Sequence, residues 1–504
     1  MDMSVVAVLL VGVAGVLTMC VLCGFLACVL YLHYLHEKYA HIPASPRKGF
    51  FSGHQRIWGG FRKQNRCFDD MLLDMMRECG SVFHVFIYFV PFVIVLEADF
   101  VREMLCKNDH RKPLAFYRDL MKVCGTRFVG SGLVTQLDPI KHAKRRAMFN
   151  PAFHRKYLQS LMGQFNAGAD VLVEKLSQKA DGKTEVAMLD ELNRATLDVI
   201  AKVAFDLELK REPDGDYPLY RAMKTILKGM SASYENSFIE LSPFAADRQL
   251  RREVRQAIHV IRELGRECIE GRRDAIQRGQ TVPQDILTYI LEETKGLSAE
   301  ESIPMEDMID EFTTFFLAGQ ETTANLLSFT LLELGNHPDV LHRVRTEVQA
   351  VVGEGRVEYE DINKLDYMMQ VLKETLRLWP PATVTSREMS YDVTVNGFKI
   401  PAKTSVVTST YVMARMEKYF HNPLEFDPDR FKISETRPGS YIPFSLGSRS
   451  CIGQQFALIE ARVLLAKLLQ KFNFTLLPGQ EHALLEDITL KPKYGCKNYI
   501  TLLE

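Results

Sequence analysis

The sequence predicts a mainly helical body with a minor β region, set behind one N-terminal transmembrane helix. Three observations carry this. Residues 4–32 hold no charged side chain. Long stretches of helical apolar periodicity fill the chain from residue 99 to residue 378. Alternating, β-branched runs are confined to residues 81–96, 391–408 and the C-terminal end.

Composition fits a single large globular unit. The 504 residues are 47% hydrophobic and 25% charged, enough to bury a core that encloses a sizeable ligand. A net charge of −1 gives no global basic signal for nucleic acid, so nucleic acid is not an expected partner. The ten cysteines show no C-x-x-C pair outside the apolar run, so zinc-finger spacing is absent. Disulfides are not expected, and the bulk of the chain reads as residing in a reducing compartment.

The run 4–32 exceeds the ~20 apolar residues that a bilayer span needs. Only Asp2 is charged before it, whereas His33, His36, Lys38, Arg47 and Lys48 follow it. Basic flanks stay cytoplasmic. The expectation is an anchor over 4–32, a basic, proline-bearing linker over 33–50 with Pro43 and Pro46 stiffening it, and a cytosolic catalytic domain over 51–504.

Residues 81–96 predict two short strands broken near Pro91. Helices are predicted at 99–107, 136–149, 153–178, 187–205, 217–230, 245–278, 284–295, 305–335, 338–352, 366–378 and 452–471. Asn396-Gly397 predicts a hairpin turn inside 391–408. No internal repeat or low-complexity tract interrupts this order.

One helical stretch, Met305 to Leu334, is apolar on nearly every side and so crosses the interior. Its middle reads Ala318-Gly319-Gln320-Glu321-Thr322-Thr323. Glycine there costs about 1 kcal/mol against alanine, and a buried acid needs a partner. A Thr hydroxyl can bond the preceding turn's carbonyl and loosen the ladder. The run therefore offers a local opening and a hydroxyl–carboxylate pair able to pass protons.

Glu374 and Arg377 are three apart on one face of a helix flanked by Val371, Leu372, Leu376 and Leu378. A buried pair needs further hydrogen bonds to be favourable. Pro428-Asp429-Arg430-Phe431 supplies another cation downstream.

Phe444-Ser-Leu-Gly447-Ser-Arg449-Ser-Cys451-Ile-Gly453 precedes the last long helix. A cysteine there meets backbone N–H groups that favour the thiolate. Gly447 and Gly453 let the loop curl around the sulfur, and Arg449 adds a cation. A single anionic sulfur suits a soft metal that finds its other ligands elsewhere, as haem iron does.

This F-x-x-G-x-R-x-C-x-G run resembles the haem-ligand loop of the cytochrome P-450 family. The resemblance spans roughly residues 43–504 and carries the family's motifs in their order. It implies the family's helical-prism fold, haem b as cofactor and Cys451 as the axial metal ligand. It implies haem contacts at Phe444, Ala318 and Gly319, and propionate contacts at His142, Arg146, Arg387 and Arg449. His142 stands where the family more often has Trp, but His also donates a hydrogen bond. Thr322 and Glu321 match the oxygen-activation motif: Thr322 hydrogen-bonds dioxygen at the iron, and Glu321 belongs to the proton-delivery route. Glu374, Arg377 and Arg430 match a structural lock beneath the Cys loop.

The resemblance further implies O₂-dependent hydroxylation with electrons from NADPH through a flavoprotein reductase, at the endoplasmic reticulum membrane. Lys141, Lys144, Arg145, Arg155 and Lys156 offer a basic patch on which such a reductase could dock. Residues 318–325, 409–416 and 451–457 are similar to family members that hydroxylate the cholesterol side chain, so a sterol is the expected substrate. By family position the pocket walls include Tyr117, Leu120, Ala318, Ala382, Thr383 and Thr489. The alternatives are a mono-oxygenase of another lipid or a xenobiotic, or a haem-thiolate isomerase needing no external electrons. Isomerases of this kind tend to lack the acid–Thr pair that this chain has.

Overall fold

A computed structural model describes residues 3–107, 110–209, 217–236, 239–293, 303–432, 437–480 and 483–503. Helix Met305–Asn336 is its axis, buried along nearly its whole length. It starts after Pro304 and ends at His337 before Pro338, the boundaries that proline chemistry predicts. Helix Met188–Phe205 packs along it, and Ala245–Gln277, Asp366–Leu378 and Gln454–Lys471 complete the shell.

Helices 98–106, 139–149, 188–205, 218–235, 245–277, 286–293, 338–351 and 366–378 fall where periodicity put them. The helix 139–149 starts where Asp138 accepts the N–H groups of Ile140 and Lys141 and Pro139 takes the first turn. The stretch 153–178 is two helices, Arg155–Ser160 and Met162–Ser177. Ser160 Oγ donates to the Tyr157 carbonyl at 2.6 Å, and the chain tightens into an i→i+3 turn at Leu161.

Three helices of two turns or more went unpredicted, Gln55–Lys63, Phe68–Cys79 and Leu114–Met121, as did the single turns Tyr359–Ile362 and Thr410–Met413. The first carries Gly59-Gly60 and buries none of its residues, so its signal is weak. The second was readable, with Asp69 and Asp70 in its first turn, Arg77 in its last and Met71, Leu72 and Met75 on one face.

The β region holds a four-stranded sheet in the order Val82–Ile87, Val90–Val95, Ser405–Ser409, Val384–Glu388. The first hairpin turns at Tyr88-Phe89, with Tyr88 at φ 52°, and not at Pro91. Pro91 lies inside the second strand, just before Phe92, where pairing to the next strand begins. Its missing N–H therefore costs no ladder bond on that side. Asn396-Gly397 turns the short hairpin 393–400 with positive φ at both residues, as predicted. A second sheet joins Phe472–Leu476, Lys497–Leu502 and the unpredicted strand Asp181–Ala187.

The N-terminal helix is continuous over Met3–Tyr39, so the first part of the stretch read as linker is helical. Apolar side chains such as Leu17, Leu22 and Phe25 stay exposed along it, as a lipid-facing span requires. Its last turns dock: Leu35 and Tyr39 are buried, and the Tyr39 hydroxyl lies 2.9 Å from Thr404 Oγ1. All ten cysteines are free thiols.

Candidate active site

Cys451 sits in a loop held from both sides. Its N–H donates to the Phe444 carbonyl at 2.8 Å, and the helix Gln454–Lys471 starts just beyond Gly453. Gly447 is at φ 72°, where a Cβ would stand 2.1 Å from the Leu105 carbonyl oxygen, so no other residue fits. Burial raises the Cys451 thiol above its ordinary range, while the Gly453 N–H and Arg146 pull the other way. The residue nonetheless keeps exposed surface, unlike the cysteines packed in the core.

The central helix shows the same combination. Surface reappears at Leu317, Ala318, Gly319 and Thr322, between neighbours that are sealed. Ala318 and Thr322 are one turn apart on one face. Thr322 Oγ1 donates to the Ala318 carbonyl at 2.8 Å, the back-bond expected from the sequence.

Gly319 has a second role that the sequence did not show: a Cβ there would meet Ile200 Cγ1 at 2.8 Å, so this glycine also lets helix Met188–Phe205 approach. Glu321 is buried where its neighbour Thr322 is not. It is 3% exposed, and Lys491 Nζ donates to its Oε1 at 3.0 Å. Sequence reasoning missed Lys491, which lies 170 residues along the chain from Glu321.

The four cations expected at the propionates converge, and a fifth, Lys112, joins them. Burial, and then the charges of Arg449, Lys112, Arg146 and Arg387, together lower the pKa of His142 to about 3. Burial and Arg387 likewise hold Arg449 down at about 10. Lys112 is pulled well below the lysine range by burial, then by Arg387 and Arg449. Arg449 Nη1 donates to the Gln136 carbonyl and Arg146 Nη1 to that of Ser450, each at 2.5 Å. Arg387 Nη2 is buried with no hydrogen-bond partner. None of Lys112, Arg146, Arg387 and Arg449 is in an ion pair among the described residues. A knot of cations ion-paired to no carboxylate among the described residues fits a doubly anionic group, and an exposed cysteine beside it fits a soft metal. The residues present therefore fit haem, whose two propionates and iron meet both requirements.

Beneath the loop, Arg377 grips Glu374 through two bonds, Nε–Oε2 at 2.7 Å and Nη2–Oε1 at 2.8 Å. Arg430 Nε reaches Glu374 Oε1 at 3.4 Å, and the Asp427 N–H reaches it at 2.9 Å. Arg377 also serves the carbonyls of Ala414, Pro423 and Glu425. Both side chains are sealed from water, so the pair is favourable only because these bonds complete it.

One sequence expectation lands elsewhere. Arg145, read as part of a basic surface, is buried and binds Asp307 at 2.7 Å and Glu311 at 3.1 Å. Those acids are on the central helix, whose N-terminal part is therefore not apolar on all sides: Asp310 is also sealed, against Arg127 and Arg262. Lys141, Lys144, Arg155 and Lys156 do stay exposed. Tyr117, expected in the pocket wall, lies among the cations, with Lys112 Nζ 4.4 Å above its ring and Ser386 at its hydroxyl. Thr383 is buried with its hydroxyl toward Asp69. Of the other wall residues, Ala382 is exposed, Leu120 is half-buried and Thr489 accepts from Asn325 Nδ2 at 2.9 Å.

The family model for cytochrome P450 matches residues 52–495. The chain belongs to the cytochrome P450 family. It is similar to cytochrome P450 4d2 of Drosophila melanogaster, 28% identical over 510 residues that cover 96% of this chain and 98% of that one. It is 32% identical to 11-oxo-beta-amyrin 30-oxidase of Glycyrrhiza uralensis over 424 residues, 80% of this chain and 77% of the relative. Secologanin synthase 2 of Catharanthus roseus is 30% identical over 421 residues, 81% and 78% of the two chains. As a cytochrome P450 the protein is an oxidoreductase, and the family's haem is the cofactor that the cysteine and the cation knot fit.

Proposed function

We propose that this cytochrome P450 is a sterol hydroxylase like vertebrate cholesterol 24-hydroxylase, anchored once in the endoplasmic reticulum membrane and facing the cytosol. In this reading it takes electrons from NADPH through the P-450 reductase. The observation that carries the mono-oxygenase part is the placement of Thr322. Its hydroxyl sits on the accessible face of an otherwise sealed helix, with Glu321 on the next position and a lysine behind it. The sterol part rests on the resemblance of residues 318–325, 409–416 and 451–457 to that enzyme. The apolar N-terminal helix supports it too, since it holds the body at the lipid surface where such a substrate resides.

Haem bound at Cys451 supplies reductive activation of O₂ and insertion of one oxygen atom into a C–H bond, the second atom leaving as water. The chain's residues do the rest. The cation knot of Lys112, Arg146, Arg387 and Arg449 holds the propionates, and neutral His142 donates a hydrogen bond. The Glu374–Arg377 pair fixes the segment around Glu425 and Asp427 that leads to the Cys loop. Thr322 hands a proton into the site, and Glu321 with Lys491 replenishes it. Tyr117, Leu120, Ala318, Ala382, Thr383 and Thr489 would line the substrate pocket.

The test is direct. Purified protein, reduced and treated with carbon monoxide, should give the thiolate-haem absorption band, and Cys451→Ala should lose it. With reductase, NADPH and cholesterol, the side-chain alcohol should carry one atom from ¹⁸O₂. Turnover of a peroxide without NADPH would instead select the isomerase reading. Turnover of other lipids with none of cholesterol would remove the sterol assignment alone.

A further inference from the structure

Outside the haem site, one cluster of side chains has the chemistry of a metal centre. Cys67 Sγ, a carboxylate oxygen of Asp69 and one of Glu486 all lie within 4.8 Å of one another. Cys67 is 2% exposed and Asp69 is 0% exposed. The three come from two ends of the chain: Cys67 and Asp69 open the helix Phe68–Cys79, and Glu486 ends the strand Leu484–Glu486.

The donors are held from behind, as metal ligands are. Glu486 Oε2 accepts the Phe68 N–H at 2.6 Å. The Cys67 N–H is held by Asp70 Oδ2 at 2.9 Å. Asp69 Oδ1 accepts from Ser409 Oγ at 2.5 Å, while its Oδ2 is buried with no well-formed hydrogen bond among the described residues, the Thr383 hydroxyl being its nearest polar neighbour. A sealed carboxylate oxygen without a partner costs stability unless something meets it. Three acidic groups this close, two of them sealed, also repel once ionised. Arg415 and Arg62 add positive potential, at Asp69 and at Glu486 respectively.

We propose that Cys67, Asp69 and Glu486 bind a divalent zinc-type cation that ties the N-terminal helix Phe68–Cys79 to the C-terminal hairpin 484–492. One thiolate and two carboxylates suit zinc: the sulfur disfavours magnesium and calcium, and three protein ligands leave a fourth position for water. Zinc bonds of about 2.0–2.3 Å put ligand atoms about 3.5 Å apart, a closure of roughly 1 Å from the spacing here. Binding displaces the thiol proton and any proton on the carboxylates, so three negative charges meet two positive ones beside the two arginines. The clip would sit behind the pocket rim, because Ser409 and Thr383 touch Asp69 and Thr489 follows Glu486 in the hairpin loop.

The experiment uses the full-length haem-loaded protein in detergent. It is stripped with a chelating resin, incubated with zinc chloride and gel-filtered, and zinc and iron are counted by mass spectrometry. Native protein should keep about one zinc per iron. Cys67→Ala and Glu486→Gln should lower that ratio by about tenfold or more, with the reduced carbon monoxide spectrum intact. A native protein that retains no zinc overturns the site and leaves a cluster of shared protons. Equal retention by the variants overturns it too, since the zinc then lies elsewhere. Should the variants fail to hold haem, zinc-edge X-ray absorption of the native protein decides. One sulfur at about 2.3 Å supports the site, and a shell of nitrogen and oxygen only removes it.

Discussion

Lys491 Nζ stands 3.0 Å from Glu321 Oε1 and 2.8 Å from Asp487 Oδ2, so one ammonium links the buried acid of the central helix to a second carboxylate nearer the surface. Burial pulls this lysine's pKa down, but Glu321 and Asp487 outweigh it, and the net value lies above 10.5. A lysine raised in the folded state stabilises the protein fully below its unfolded pKa, and that contribution fades as pH climbs through the folded value. At neutral pH the pair is therefore intact. Lys491→Met leaves Glu321 sealed beside no cation and should cost about 3–5 kcal/mol in denaturant unfolding. Adding Glu321→Gln to it should recover much of that loss. Equal stability of the single and double variants would show that the contact carries no energy.

Arg145 and Lys144 are neighbours with opposite fates. Arg145 lies between Asp307 and Glu311, whereas the Lys144 side chain is in solvent. Arg145→Glu puts a third acid against buried Glu311 and half-buried Asp307 and should destabilise by more than about 4 kcal/mol, with haem lost on purification. Lys144→Glu should shift stability by no more than about 0.5 kcal/mol. If the reductase docks on this face, Lys144→Glu should also raise the apparent KM for reductase several-fold at low salt, an effect that shrinks as salt screens it. A KM unchanged at low salt removes the docking role.

These two pairs mark the limit of what the chain reveals before it is folded. Helix Met305–Asn336 was legible because periodicity, Pro304 and Pro338 are local signals. Cys451 and the Glu374–Arg377 pair were legible because their partners lie within a few residues or within a motif. Lys112 and Lys491 were not: each is one lysine among many until folding sets it beside Arg387 or Glu321. The part Gly319 plays in helix packing was not legible either, because Ile200, which fills its notch, lies on another helix. Arg145 was misread because a helix face rich in Lys and Arg looks solvated until an acidic helix packs on it.

His84 gives a pH signature independent of the haem. It lies on strand Val82–Ile87, buried, with Nδ1 2.9 Å from the Ile42 carbonyl oxygen. Burial is the main cause that lowers its pKa to about 4; the Ile42 hydrogen bond opposes it, and His54 and Arg47 add to it. The unfolded chain then binds a proton that the folded one refuses, so this residue's contribution is whole above pH 6.5 and is lost as pH falls toward about 4. His84→Gln should flatten the fall in melting temperature across that window. An unchanged slope would assign the acid sensitivity to other groups.

Thr322 separates structure from chemistry most cleanly. Its hydroxyl bonds only its own helix, donating to Ala318 at 2.8 Å. Such a back-bond adds little to helix stability, and alanine is the better helix former. Thr322→Ala should therefore keep the haem spectrum and unfold within about 0.5 kcal/mol of the native protein. What it removes is the one hydroxyl on the accessible face, next in sequence to the acid that Lys491 holds. Without that donor, protons reach the reacting oxygen out of step, and electrons from NADPH should appear as hydrogen peroxide instead of alcohol. Thr322→Ser restores the donor and should restore most of the coupling, which a purely steric role for the methyl group would not. The decisive measurement is the ratio of product to NADPH consumed, and a Thr322→Ala protein that holds the native ratio would exclude the hydroxyl from proton delivery.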